Sequence, residues 1–341
     1  IGKGDAVGSG DYTNYTEDDV VEIAKVLTCW RVRGLNDDDA LNSYFTNSRH
    51  SSGSKNLSHR FNNAIIAENG EHEYKDVIDV IFQQDECSRF IIRQLYIWFI
   101  NSEITSEIET NIIEPLALIV RDNDYNIAPA LKVLFASEHF FENVFCMIKS
   151  PLDLLFSATT SLLLNAPTTS TNDEYNYAYT LYLVAAELQQ SVFEHPDVAG
   201  WKAYYQEPLH YKTWVNNYLL PKRLDFCRVL VTGGNLAVNG RNYTIPPLVP
   251  VLEIAASISN SNSPNILITE LANQLFNYEI AENQITSLKD ILIPGLPDFE
   301  WTVEYNAYLA DPNNEALQIS VENKLKNLIA VMVQMSEFQI M

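Results

Sequence analysis

Apolar residues recur every three or four positions along much of the chain, which is the spacing that places them on one face of an α-helix. The first such stretch follows Thr16 and carries Val20, Ala24 and Leu27. Thr16 and Asp19 are spaced like the two members of a capping box, and an acidic first turn suits the positive end of the helix dipole. A helix is therefore predicted to begin directly after Thr16.

Helical periodicity dominates from Thr16 to about Leu164 and returns after a polar interruption. The predicted helices cover residues 73–84, 86–100, 106–121 and 126–136, a helix opened by Pro151, and then residues 174–193, 210–230 and 314 or 315 to about 336. Residues 165–173 are polar and lack periodicity, as is usual for a loop. This pattern predicts two lobes, residues 1–164 and 175–341, unless they form one continuous domain.

One short segment departs from helical spacing. The run 236–238 precedes Asn239 and Gly240, and the run 241–245 follows them. Asn-Gly is the preferred central pair of a tight turn between two strands, so a small β-hairpin is predicted near 236–245. The sequence therefore predicts an all-α, mainly helical protein, a large multi-helix assembly in two packed lobes with one small hairpin.

The composition limits the kinds of partner. Of the 341 residues 47% are hydrophobic, which is enough for a large core. The chain has 22 Lys and Arg against 44 Asp and Glu, so its net charge is −22. Such a protein repels phosphate backbones and anionic lipid, which argues against nucleic acid as a partner. The longest apolar runs, such as 95–100, are far shorter than the roughly 20 residues of a membrane-spanning helix, so no membrane span is predicted.

The cysteines and histidines form no known ligand pattern. The four cysteines are Cys29, Cys87, Cys146 and Cys227. Their wide spacing predicts four buried free thiols, and one or two disulfides are the alternative for an exported protein. His50, His59 and His72 also match no metal-ligand spacing. No metal site and no cofactor are predicted.

Two acidic turns match cation loops only in part. Asp122, Asp124 and Asn126 carry the first half of a calcium loop, but the positions that need glycine and a second acid hold Ile127 and Val133. An N-capping turn is the preferred interpretation. The acidic run 37–39 is likewise interpreted as a solvated turn.

Short motifs follow one another in order along the chain. They are residues 15–20 and 27–30, then His50, Gly53 and Lys55, then Lys149 and Pro151, then Leu188, Gln190, Pro196, Val198, Gly200 and Trp201, then Trp214 and Arg223, and finally residues 336–339. The ordered set resembles the bacterial family catalogued as domain of unknown function 1800 over essentially the whole chain. The departures from the family's motifs are Cys29 and Gln189 in place of glycine, Ser51 in place of an acid, and His195 in place of proline.

This resemblance implies an all-helical, exported bacterial protein with no established activity. It also implies a further helical region before Ile1, so the chain is expected to be the C-terminal portion of a longer protein. Members of this family tend to be encoded beside a second protein related to sulfatases and phosphatases. That neighbour is the protein partner that the resemblance suggests.

An enzymatic interpretation rests on a few polar residues. His50 is the candidate acid-base group, with Lys55, Arg93 or Arg223 as an anion clamp in a hydrolase or lyase acting on an anionic substrate. The structural alternative is that His50 satisfies buried backbone groups, Lys55 caps a helix C-terminus, and the arginines hold buried or half-buried ion pairs.

A binding interpretation rests on an aromatic segment. The ligand- or partner-binding candidates are Arg93, His195, Trp201, Tyr204, Tyr205, Tyr211, Trp214 and Arg223. Exposed rings stack on sugars or anchor protein partners, whereas buried tryptophans only fill a core. The preferred interpretation is a binding or assembly protein of the cell envelope or secreted space, acting with a protein partner or a surface glycan.

Overall fold

The computed structural model describes residues 1–32, 42–143, 146–164, 170–238, 240–276 and 279–341. Two compact units are present, Ile1–Glu142 and Asn143–Met341. Each unit is built mainly from helices, which confirms the predicted mainly α class. The predicted acidic turn 37–39 lies outside the described residues.

Helices account for most of both units. Those of the first unit are α1 (Glu17–Val26), α2 (Glu73–Phe82), α3 (Asp85–Phe99), α4 (Ser106–Ile108), α5 (Glu114–Asp122), α6 (Ala128–Phe135) and α7 (Glu138–Glu142). Those of the second unit are α8 (Pro151–Ser161), α9 (Thr171–Glu187), α10 (Lys202–Tyr205), α11 (Leu219–Thr232), α12 (Val251–Ser257), α13 (Pro264–Phe276), α14 (Glu282–Leu292), α15 (Asp298–Ala310), α16 (Glu315–Met332) and α17 (Ser336–Gln339). Among the described helices, none combines the length and the apolar character needed to cross a bilayer.

The strands form two-stranded antiparallel pairs. The pairs are β1 (Ala6–Gly8) with β2 (Asp11–Tyr12), β3 (Trp30–Val32) with β4 (Ser43–Phe45), β5 (Lys55–Asn56) with β6 (Ile65–Ile66), and β7 (Gly234–Val238) with β8 (Arg241–Ile245). The β7–β8 pair is the predicted hairpin, although its turn residue Asn239 lies outside the described residues. The other pairs were not predicted, because strands of two or three residues are too short to show an alternating pattern.

Helix α1 begins where the capping box predicts. Thr16 Oγ1 accepts a hydrogen bond from the amide of Asp19, and Asp19 Oδ2 accepts one from the amide of Thr16. Asp19 is buried, and its carboxylate also accepts bonds from the amide and the hydroxyl of Ser58, each at 2.6 Å. These contacts hold the pKa of Asp19 below its usual range even though burial alone would raise it. The cap therefore also attaches α1 to the segment that precedes Phe61.

Two predicted helices are interrupted. Residues 106–121 contain a π-helical segment, Glu109–Ile113, between α4 and α5. Residues 210–230 form a short 3-10 helix, His210–Trp214, followed by α11. Val215 is extended between them, and Asn216 Oδ1 accepts hydrogen bonds from the next amides, including that of Leu219. This local cap starts a new helix, which periodicity alone does not reveal.

The second unit contains more of the chain than the loop at 165–173 suggests. Helix α8 lies before that loop, and its residues Leu154, Leu155 and Ala158 belong to the same buried cluster as Trp301. The boundary between the two compact units lies between Glu142 and Asn143, before α8 and not at the predicted loop. Residues 165–169 of the loop lie outside the described residues.

The cysteines match the prediction of buried thiols only in part, and the turn after α5 is capped as interpreted. All four cysteines are free thiols, but only Cys87 and Cys227 are buried, and Cys29 and Cys146 are half-buried. Asn126 Oδ1 accepts a hydrogen bond from the amide of Ala128, as the capping interpretation of that turn requires. In the described part of the chain no cluster of three or more His, Cys, Asp or Glu side chains forms a metal site.

Two residues that replace a glycine of the family's motifs adopt the left-handed conformation. The φ angle is 72° at Cys29 and 67° at Gln189. This region costs an ordinary L-residue roughly 1–2 kcal/mol, whereas glycine adopts it freely. The motif glycine is thus explained by backbone geometry at both positions.

Replacing Cys29 by Gly is expected to raise the free energy of unfolding by about 0.5 to 1 kcal/mol, because relief of the left-handed strain exceeds the added entropy of the unfolded chain. Urea denaturation measures this change. Cys87→Gly is the matched control, and it is expected to destabilise because Cys87 is a buried residue inside α3. A loss of stability in Cys29→Gly would contradict the assigned strain.

Candidate functional site

His50 and Lys55 meet in the interior of the first unit. Lys55 Nζ lies 2.6 Å from Glu73 Oε2, and His50 Nε2 lies 3.0 Å from Glu73 Oε1. The Lys55 and His50 nitrogens are 3.4 Å apart. Strand β5 carries Lys55, and the first residue of α2 is Glu73. We call this group of three side chains the first polar centre.

The carboxylate of Glu73 has four hydrogen-bond partners. Besides Lys55 and His50, its Oε1 accepts hydrogen bonds from the amides of Asn69 and Gly70 at 3.0 and 3.1 Å. Burial alone would raise the pKa of Glu73, but these hydrogen bonds outweigh it and hold that pKa below its usual range. Four acceptor positions are about what an ionised carboxylate offers. Glu73 is thus a fully satisfied anion.

The other nitrogen of His50 faces Thr28. The hydroxyl of Thr28 donates to the carbonyl of Lys25, so its oxygen accepts from His50 Nδ1 at 3.0 Å and from the amide of Ser51 at 3.1 Å. The first polar centre therefore connects residues from two of the sequence motifs. It ties the end of α1 to the start of α2 through side chains that are almost completely buried.

The geometry of the first polar centre is relevant to both the enzymatic and the structural interpretation of His50 and Lys55. His50 and Lys55 do converge, but on Glu73, and the side chains of all three are at most 3% exposed. The expectation that Lys55 caps a helix C-terminus is wrong, because it pairs with the first residue of a helix. Glu73 escaped the sequence analysis, and its only signal was an acid at a predicted helix start. In the described part of the first unit, this trio is covered, so a substrate would have to displace surrounding residues to reach it.

All three guanidinium nitrogens of Arg93 are paired with acids of its own unit. Its guanidinium binds Glu109 through Nε and Nη2, and Glu86 through Nη1. Glu109 and Glu86 raise the pKa of Arg93 above its usual range. Arg89, one turn earlier on α3, is paired with Glu114 in the same way. These contacts match the ion-pair interpretation of the arginines on α3.

Lys149 and Arg223 meet in the interior of the second unit. Arg223 Nη2 donates to the carbonyl of Lys149 at 2.9 Å, and its Nε donates to Gln339 Oε1 at 3.0 Å. Lys149 Nζ donates to the carbonyl of Phe338 at 2.9 Å. Backbone pairing of Ile148 with Ile340 brings these segments together. We call this group of Lys149, Arg223 and Gln339 the second polar centre.

The predicted aromatic segment runs from the surface into the core. His195 is exposed, and its ring lies 4.6 Å from that of the half-buried Trp201. Trp201 packs edge-on against Tyr204 at 6.5 Å, and Tyr204 packs against Trp214 at 6.1 Å. Trp214 is only 5% exposed. Trp214 is therefore a core residue, and only the outer part of the segment is open to a ligand.

The remaining tyrosines of this segment differ in exposure. Tyr205 is 39% exposed, and its hydroxyl donates to Asp197. Tyr211 is half-buried in the 3-10 helix. Tyr204 is half-buried, and its hydroxyl accepts a hydrogen bond from Gln190 Nε2. Of these three, Tyr205 is the one that presents a ring to solvent.

A row of tyrosines on α9 was missed by the sequence analysis. Tyr175, Tyr179 and Tyr182 stack in order, with ring centroids 6.0 and 6.2 Å apart and planes within 7° and 19°. Tyr175 is 65% exposed and Tyr179 48% exposed. We call these three residues the tyrosine ladder. Their spacing of four and three residues, which is the helical repeat, was the signal that could have found them.

The tyrosine ladder continues into an apolar loop. The hydroxyl of Tyr182 donates to Glu194 Oε1 at 3.3 Å. Phe193 directly precedes Glu194 in the chain, and its side chain is 91% exposed. Val198, farther along the same loop, is fully exposed. We call the ladder, the loop 193–198 and Tyr205 the aromatic surface. Its outward side chains are aromatic, apolar and acidic.

Comparison with known proteins identifies a family. A family model described as a protein of unknown function, DUF1800, matches residues 2–340. No curated protein and no solved structure matches the chain.

Proposed function

The chain belongs to the DUF1800 family of proteins of unknown function, and from this premise we propose that it is a binding or assembly protein that recognises another protein through its aromatic surface. The observation that carries the proposal is the tyrosine ladder, in which Tyr175 and Tyr179 are stacked and about half or more exposed. Exposed aromatic residues in a contiguous group are typical of interfaces, where Tyr and Trp contribute much of the binding energy.

The apolar side chains beside the tyrosine ladder favour a protein over a sugar. The near-parallel rings of the ladder, with centroids 6.0 and 6.2 Å apart, offer aromatic area to either kind of ligand. Phe193 and Val198 add apolar side chains that need a pocket in a partner. The first half of α9, from Thr171 to Thr180, is almost wholly exposed, which leaves room for a partner along its length.

The charge of this surface indicates which kind of protein partner fits it. The chain carries a net charge of −22, and the aromatic surface includes the acids Glu194 and Asp197. A partner with basic residues around an apolar centre complements this surface. The sulfatase- and phosphatase-related neighbour that the resemblance implies is the first candidate. Export to the cell envelope or secreted space is part of the proposal, and it rests on that resemblance alone.

The alternative function, a hydrolase or lyase, finds less support. It requires His50 to reach a substrate atom with Lys55, Arg93 or Arg223 as a clamp. The first two are sealed around Glu73, Arg93 is occupied by two acids, and Arg223 is fully buried. Arg93 and the first polar centre lie in one unit and Arg223 in the other.

The double substitution Tyr175→Ala, Tyr179→Ala is expected to weaken binding to the purified neighbour protein at least tenfold, since interface tyrosines often contribute 2 kcal/mol or more each. Isothermal titration calorimetry measures the affinity. The melting temperature should stay within about 1 °C, because both rings are exposed.

Phe299→Ala is the matched control, since Phe299 is a 60% exposed aromatic residue on α15 and not on α9. Its affinity for the neighbour should equal that of the wild type. Unchanged affinity in the double variant would contradict the proposed surface. Binding to an oligosaccharide array that the double variant loses would identify a glycan as the ligand and would overturn the choice of a protein partner.

A further inference from the structure

Two cations in the second polar centre have only neutral partners. Arg223 is completely buried and Lys149 is 8% exposed. Their hydrogen bonds go to the carbonyls of Lys149 and Phe338 and to the amide oxygen of Gln339. Within the described residues, no carboxylate forms an ion pair with either cation. Buried charges in proteins are normally paired, because their transfer out of water costs several kcal/mol per ion.

One nitrogen of this centre lacks an acceptor. Nη1 of Arg223 is buried and has no hydrogen-bond partner among the residues that the structure describes. A buried donor without a partner costs about 1 to 3 kcal/mol, and more when the donor is charged. The guanidinium is thus bound on two sides, through Nε and Nη2, and open on the third.

Among the described residues, no carboxylate close enough for an ion pair offsets the burial of these two cations. Burial lowers the pKa of Lys149 to about 8 and that of Arg223 to about 10, and the charge of Arg223 contributes to the fall for Lys149. The Cys227 thiol does not compensate, since burial raises its pKa to about 12 and keeps it neutral at pH 7. Asp153 acts on both cations, but it is exposed on α8 and bonds to Ser150.

Comparison with the first polar centre shows which group the second polar centre lacks. There Lys55 and His50 converge on a buried carboxylate that accepts hydrogen bonds from both. In the second centre the corresponding oxygen acceptor is the neutral amide of Gln339. Of the two centres, only the first therefore holds a buried carboxylate.

We propose that Arg223 Nη1 and Lys149 Nζ bind one small monovalent anion of halide size. One negative charge balances the pair best, given that Lys149 and Arg223 are both cationic at neutral pH and Asp153 supplies part of the remaining field. Larger oxyanions such as sulfate or phosphate need a wider opening than side chains at 0% and 8% exposure leave. A divalent anion also loses far more hydration on burial. The site is independent of the aromatic surface and of the proposed function.

The test is thermal unfolding of the full chain at pH 7 in sodium bromide or sodium chloride, against sodium gluconate at equal ionic strength. Binding to the folded state raises the melting temperature by roughly 3 °C for each tenfold increase of halide above its dissociation constant. The rise should be lost in Lys149→Met and Arg223→Gln. It should persist in Arg228→Gln, because Arg228 lies on the same helix but is partly exposed and paired with Asp225.

A second measurement decides the case if Arg223→Gln does not fold. Anomalous diffraction from wild-type crystals soaked in bromide should show a peak within about 3.5 Å of Arg223 Nη1. Such a peak together with a halide-specific rise supports the site. Equal melting temperatures in halide and gluconate, or a map with no bromide at Arg223, would overturn it and leave a water molecule as the partner of Nη1.

Discussion

Replacing Lys55 by Met is expected to lower the free energy of unfolding of the first unit by about 3 to 5 kcal/mol, because Glu73 is then left as an uncompensated buried anion. Met keeps an unbranched apolar stem of similar length, with sulfur in place of one methylene, and lacks the ammonium group, so the loss reports the charge more than the packing. Urea denaturation followed by circular dichroism measures the change. Hydrogen-exchange mass spectrometry of residues 55–99 assigns it to the first unit.

Two further variants test the cause of this loss. Lys75→Met removes a lysine from an exposed position of α2 and is expected to change stability by less than 1 kcal/mol. The double variant Lys55→Met, Glu73→Leu removes both charges and should recover a large part of the loss. A Lys55→Met protein as stable as the wild type would contradict a buried ion pair at this position.

The same pair has a defined dependence on pH. The folded state holds the pKa of Glu73 below its usual range, so the unfolded chain binds more protons as the solution becomes acidic. The stabilisation from ionised Glu73 is therefore complete above the pKa of the unfolded chain. It is lost as the pH falls through the pKa of the folded state, and Lys55→Met should flatten this acid limb of the stability curve.

Trp214→Ala is expected to lower the free energy of unfolding of the second unit by about 3 to 5 kcal/mol. Trp214 is 5% exposed and packs edge-on against Tyr204, so truncation leaves a cavity and removes an aromatic contact. Urea denaturation followed by far-ultraviolet circular dichroism measures the effect without relying on tryptophan emission.

The comparison for Trp214 is Tyr179→Ala, in the same unit. Tyr179 is 48% exposed, and its loss should cost less than 1 kcal/mol while it weakens partner binding. The two variants thus separate the core of the aromatic segment from its outer surface. A mild effect of Trp214→Ala, together with weaker binding at unchanged stability, would instead make Trp214 a contact residue.

Local features were predictable from sequence because their determinants lie within a few residues. The start of α1 follows from Thr16 and Asp19, and the β7–β8 hairpin from the pair Asn239 and Gly240. By contrast, Val215 ends a 3-10 helix in a stretch whose apolar spacing looks continuous. The type of the long helices and of the hairpin was readable, whereas strands of two or three residues and breaks set by a single side-chain cap such as Asn216 were not.

The composition of the two polar centres could be predicted only in part. His50 and Lys55 were found as candidates, but their shared partner Glu73 is 18 residues beyond Lys55, and nothing in the sequence links them. Arg223 contacts Gln339, 116 residues away, and the carbonyl of Lys149, 74 residues away. Contacts at such separations depend on how helices pack, which no local pattern encodes.

The pairing of Ile148 with Ile340 has a consequence for synthesis on the ribosome. The second unit is complete only when residues 338–341 can reach Lys149, so about 190 residues must be translated between the two partners. At roughly 5 to 20 residues per second this interval lasts on the order of 10 to 40 s. The first unit, whose polar centre closes with Glu73, has time to fold during that wait, while Leu154 and its neighbours on α8 need shielding from aggregation.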